Sequence, residues 1–157
     1  MGDAEHDKLK PLEGTFRAQV RVWMGADEPA VSTGTMVNEF ELDGRFLRQT
    51  YKGDPSDGAL GAFEGHGYRG YNEVTGKFES FWIDNGSTMM QIEFGELDES
   101  GRVWTMIGEM ANPRTGGKMT KRSVITVKDE DHHTIEMFFD TGDGEAKSME
   151  ISYERVK

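Results

Sequence analysis

The chain contains no cysteine. Disulfides, thiolate nucleophiles and zinc–thiolate centres are therefore excluded. No apolar run approaches the ~20 residues of a membrane-spanning helix. The opening residues, from Met1 to Lys8, hold no apolar stretch of the kind a secretory signal carries, which makes a cytoplasmic location the expectation. Positive charge is also short: 18 Lys and Arg stand against 29 Asp and Glu, for a formal net charge of -11. Nucleic acid and anionic membrane surfaces repel such a chain, so neither is expected as a partner.

Catalytic and cofactor signatures are missing as well. There is no G-x-S-x-G elbow. Gly65-His66-Gly67-Tyr68-Arg69-Gly70 matches the G-x-G-x-x-G pattern, but a dinucleotide site requires a helix to follow. Here Tyr71 to Gly76 reads as a strand end and a turn. His132 and His133 are adjacent on a strand and so point to opposite faces, which argues against chelation of one metal. No metal and no cofactor is expected, although either histidine would suffice as a single axial haem ligand. Asp84, Glu93, Glu96 and Glu109 offer carboxylates, yet nothing in their spacing selects a catalytic pair, and an acidic chain carries carboxylates on every exposed face.

What the chain does have is strand periodicity. From Thr15, Phe16, Ala18, Val20 and Val22 alternate with polar neighbours, as a half-buried strand requires. The same rhythm predicts strands over Thr33 to Leu42, Arg45 to Lys52, Phe63 to Glu73, Lys77 to Asp84, Ser87 to Leu97, Arg102 to Met110, Lys118 to Val127, His132 to Phe139 and Glu145 to Val156. Turn formers such as Asp43-Gly44, Thr75-Gly76 and Asn85-Gly86 separate them, and Gly53 to Gly58 reads as a longer loop. Short, evenly spaced strands with no helix between them predict an all-β fold. A meander of about ten strands manages its edges by closing, so an antiparallel up-and-down β-barrel is expected. One domain over 1–157 is expected, with a short helix or arm over 1–13 and the barrel over 14–157.

Several residues are candidates for a ligand in such a barrel. Trp82, Met90 and Trp104 lie on consecutive strands and would form an adaptable apolar wall, with Met106 beside them. Arg48, His66 and Tyr68 would orient a polar group. The leading expectation is a small apolar or amphipathic ligand in the lumen. The alternatives are an isomerase or hydrolase using a luminal histidine or carboxylate as acid and base, and haem binding through His132 or His133. A homodimer through an outward aromatic such as Phe81 or Trp23 is a further expectation.

Five short stretches also carry a resemblance: KLKPLEGTF (Lys8 to Phe16), GRFLRQTY (Gly44 to Tyr51), FEGHGY (Phe63 to Tyr68), FWID (Phe81 to Asp84) and STMM (Ser87 to Met90). Together they resemble the bacterial family named "domain of unknown function 1579", whose activity is unsettled and which therefore supplies no catalytic residues. More distantly, Gly14-Thr15-Phe16 is similar to the G-x-W that opens lipocalin and fatty-acid-binding barrels, with Phe in place of Trp. That resemblance implies that Arg155, near the end of the last strand, packs on Phe16. It also implies a ligand in the lumen, contacted by inward-facing strand residues.

Overall fold

A computed structural model describes residues 5–23, 25, 27–55 and 63–157. It begins with a 3-10 helix, His6–Leu12, and continues through β1 (Gly14–Val22), β2 (Ala30–Glu41), β3 (Phe46–Gly53), β4 (Glu64–Asn72) and β5 (Lys77–Asp84). β6 (Gln91–Leu97), β7 (Val103–Ala111), β8 (Lys118–Val127), β9 (His132–Asp140) and β10 (Glu145–Arg155) follow. Every strand pairs antiparallel with its neighbours in sequence, and β1 pairs with β10 to close the barrel. Closure removes the free edges that a ten-strand meander would otherwise expose. Among the described residues no helix is long and apolar enough to cross a membrane.

Two boundaries depart from the sequence pattern by more than one residue. β2 starts at Ala30 rather than Thr33. β6 starts at Gln91 rather than Ser87, because local side-chain acceptors capture the backbone before it. Asp84 Oδ1 accepts the Gly86 N–H at 2.9 Å and Ser87 Oγ accepts the Met89 N–H at 3.3 Å. Such bonds compete with the strand ladder. The loop expected from Gly53 to Gly58 runs partly into residues 56–62, outside those described; its flanks meet where the Gly53 N–H donates to the Phe63 carbonyl at 2.8 Å.

The two ends of the barrel are unlike. At one end the 3-10 helix presses Leu9 and Leu12, each 2% exposed, onto Phe16, Phe78, Trp104 and Ile125. Helical spacing puts both leucines on the face turned to the barrel. Asn38 Nδ2 reaches up to the Leu12 carbonyl at 2.7 Å, and Arg155 Nη1 to the Glu13 carbonyl at 2.6 Å. The Arg155 guanidinium also lies 4.7 Å from the centre of the Phe16 ring, the packing that the G-x-W resemblance implies. At the other end the inward positions Val22, Trp82, Met137 and Met149 are only half-buried. The barrel is thus plugged at one end by the 3-10 helix, while the other end is lined by half-buried apolar side chains packed against the core.

Candidate functional site

Directly opposed residues of an antiparallel pair share a face, so the ladders fix which side chains enter the lumen. On β3 the buried phase is Leu47, Gln49 and Tyr51, which sends Arg48 outward. Arg48 lies opposite Tyr68, and Thr50 opposite His66. The inward orientation expected of Arg48, His66 and Tyr68 is corrected accordingly: all three are on the outer wall. His66 is exposed there, beside Thr50 and Ile83. Tyr68 donates to Glu41 and stacks on Phe81 at 5.6 Å, while Arg48 lies 3.9 Å from Glu41. Met90 falls in the loop before β6 and is 75% exposed. An acid–base role for His66 inside the barrel loses its geometry.

Trp82 and Trp104 do face inward. Trp104 is 1% exposed and packs edge-on against Phe78 in the plugged half. Trp82 belongs to the half away from the plug, where its indole lies flat along β4. A Cβ placed on Gly65 would sit 2.1 Å from Trp82 Cζ2, and one on Gly67 would sit 2.8 Å from Trp82 Cε3. The glycine-rich strand therefore makes room for the indole against the wall. Trp82 Nε1 donates to Asp84 Oδ2 at 2.8 Å, which anchors the ring at the rim.

The interior also carries charge. Arg69 lies opposite Leu47 and Ser80, and Ser80 lies opposite Glu93. On the next strands Gly108 abuts Glu93 and lies opposite Lys121. One ring of inward positions thus reads Arg69, Ser80, Glu93, Gly108, Lys121 across five strands. Glu93 is 7% exposed and Lys121 3%. Lys121 Nζ stands 3.2 Å from Glu93 Oε1 and donates to Gln91 Oε1 at 2.8 Å. It reaches both by crossing Gly108, where a Cβ would come within 2.3 Å of the Ile92 carbonyl oxygen and 3.1 Å of Glu93 Cγ.

Arg69 is the second inward cation, half-buried where Lys121 is buried. Burial is the main influence on its guanidinium and pulls its proton affinity down, while Glu93 and Tyr153 act the other way. Its charge in turn helps lower the pKa of His133 and that of Tyr153, so it is felt from β6, β9 and β10 together. Arg69 makes no hydrogen bond or ion pair with the described residues. Nearby, Glu93 Oε2, Ser123 Oγ and Trp104 Nε1 are buried without a hydrogen-bond partner. Arg69 and Trp104 both line a small cavity of about 10 Å³ beneath the plug.

Neither histidine of the adjacent pair is placed to ligate haem. His132 is on the outside, its ring nitrogen 2.8 Å from Asp129 Oδ1, and that carboxylate raises its pKa. His133 is 4% exposed, stacked on Tyr153 at 4.5 Å and met edge-on by Phe16 at 4.6 Å. Burial, with help from Arg69 and Arg155, lowers its pKa to about 3, so it is neutral. Burial pushes the Tyr153 hydroxyl well above its ordinary range, so it too is uncharged.

Sequence reasoning passes over Gln91, Lys121 and Ser123, reads Arg69 only as part of a glycine motif, and sets Glu93 aside as one carboxylate among several. A signal for them was present in β6. Its apolar phase, Ile92 and Phe94, is 49% exposed at both positions, whereas the polar phase containing Glu93 is buried. The usual assignment of charge to the outside conceals this inversion.

Comparison with known proteins agrees with the architecture. The family described as "Protein of unknown function (DUF1579)" matches residues 2–155. The chain belongs to this family. None of the curated proteins matches this DUF1579 chain. Among solved structures, a redesigned β-barrel, b11L5F_LGL, is 15% identical over 96% of each chain, with a TM-score of 0.47. EF1p2_mFAP2b bound to DFHBI is 10% identical, covers 98% of this chain and 100% of its own, and has a TM-score of 0.51. At these identities the second shows a shared β-barrel fold.

Proposed function

We propose that this DUF1579 protein binds a small amphipathic molecule inside its barrel. The observation that carries the reading is the inward ring of Arg69, Glu93 and Lys121, set in a barrel whose Trp82 end is lined by half-buried apolar side chains. A barrel interior kept only for stability has no use for these groups. Burying charge and leaving donors and acceptors unmatched costs on the order of 1–3 kcal/mol per group. Apolar replacements of similar volume are often neutral or stabilising in such positions. Trp82, Met137 and Met149 would hold the apolar part of the ligand and the charged ring its polar part. The β-barrel EF1p2_mFAP2b, bound to DFHBI, is a precedent for a fold of this kind taking up a small molecule.

The test is a thermal-shift and native-mass screen against lipids, aromatic acids and haem. The expected result is that one amphipathic class raises the melting temperature, binds at one per chain, and quenches tryptophan fluorescence in the parent but not in Trp82→Phe. If no class raises the melting temperature, the luminal reading is wrong.

A further inference from the structure

We infer that the ligand is a small organic monoanion, with its negative group held at Arg69 and its apolar body directed towards Trp82. This rests on the luminal reading and adds the charge of the ligand to it. The first ground is the charge balance of the interior. Lys121 and Glu93 are paired with each other, at 3.2 Å. His133 and Tyr153, which also face inward near Arg69, are both neutral. That leaves the guanidinium of Arg69, which is always protonated, as a positive charge with no hydrogen bond or ion pair of its own among the described residues, in a protein of formal net charge -11.

The second ground is position. Arg69 is set far enough in for burial to be the dominant influence on it, and it still keeps part of its surface open. It therefore borders the small cavity of about 10 Å³ beneath the plug, which a ligand group would have to enlarge. The planar fork of a guanidinium matches a carboxylate or sulfonate with two parallel hydrogen bonds. Trp104, whose buried Nε1 has no acceptor, lines the same small cavity.

The third ground concerns valence. Glu93 stands on the same ring, with Oε2 unmatched. A second negative charge on the ligand would meet this carboxylate in a medium of low dielectric, where like charges repel strongly. A single negative charge balances the site, and a hydroxyl or amide on the ligand would supply the donor that Glu93 Oε2 can accept.

Two dyes with the same ring skeleton test this. 1-Anilinonaphthalene-8-sulfonate is a monoanion, and N-phenyl-1-naphthylamine lacks the sulfonate and is neutral. In fluorescence titrations of the full chain, the anionic dye should bind roughly tenfold or more tighter than the neutral one. Arg69→Met should abolish the preference by weakening the anionic dye alone, and Arg69→Lys should keep part of it. Phe94→Ser, on the outer wall, should change neither. Equal affinity of the two dyes for the unmodified protein overturns the monoanion inference and leaves the luminal reading standing. So does equal weakening of both by Arg69→Met. Binding of neither dye, or loss of both signals in Phe94→Ser, counts against the lumen itself as the site.

Discussion

His133 shows what the barrel interior does to a titratable side chain. It is packed between Phe16 and Tyr153, and burial is the first cause of its pKa falling from 6.5 to about 3. The sign follows from proton linkage. Above the ordinary pKa both folded and unfolded chains hold the imidazole neutral, and it contributes no pH dependence. Below it the unfolded chain takes up a proton that the folded chain refuses, so stability is lost as the pH falls from about 6.5 towards 3. The slope from this one residue approaches ~1.4 kcal/mol per pH unit. Asp54, whose ion pair with Arg17 lowers its pKa to about 2, withdraws its own contribution only below its ordinary value of 3.8. Urea midpoints between about pH 7 and pH 4 therefore report mainly on His133 when set against His133→Phe. The parent should lose stability across that interval and the variant much less. Parallel curves for the two proteins would mean that His133 is charged in the fold.

At the level of strands, β4 and β5 are shaped to each other through glycine and tryptophan. The three atoms nearest the Cβ of a Gly65→Ala variant would all belong to the ring of Trp82, at 2.1 to 2.8 Å. The substitution should cost ~1–3 kcal/mol by overpacking in the parent. In a Trp82→Ala background the obstacle is gone and the same change should be close to neutral, a coupling that a double-mutant cycle on denaturation midpoints measures. Additive effects would place the indole elsewhere. These strands also show where the sequence was readable. Phe16, Ala18 and Val20 give the phase of β1 because polar residues alternate with them. In β3 both faces are mixed, and only the ladder reveals that Gln49 faces inward and Arg48 outward. Polar lumina defeat the binary pattern: Glu93 and Lys121 read as solvated charges until the register brings them together across Gly108. Arg69 was hidden within a glycine motif whose side-chain-free positions serve Trp82 rather than a nucleotide. The fold was legible because turn chemistry and alternation are local. The site was not, because its charged ring alone joins residues up to 52 positions apart, from Arg69 to Lys121.

For the whole molecule, the asymmetry between the two ends is the main organising fact. The 3-10 helix closes one end through two apolar side chains and a few hydrogen bonds, while the other is lined by the half-buried Trp82, Met137 and Met149. Asn38 is 1% exposed, and its bond to the Leu12 carbonyl has no substitute in an apolar setting. Arg155 adds bonds to the carbonyls of Pro11, Glu13 and Glu130. These ties act on a segment with few backbone bonds of its own, and a short 3-10 turn is marginal without tertiary support. Asn38→Ala should therefore cost ~1–3 kcal/mol, since it leaves a buried carbonyl unmatched. Its effect should also be local. Amide hydrogen exchange should speed up at Lys8 and Glu13, whose N–H groups donate to the Glu5 and Lys10 carbonyls. Exchange in β6 to β8 should stay near the parent rate, because the ladders there do not involve the plug. Uniform acceleration around the barrel would instead make the helix part of the cooperative unit that holds the strands closed. It would then be no separate lid, and opening at the plugged end would require unfolding the barrel.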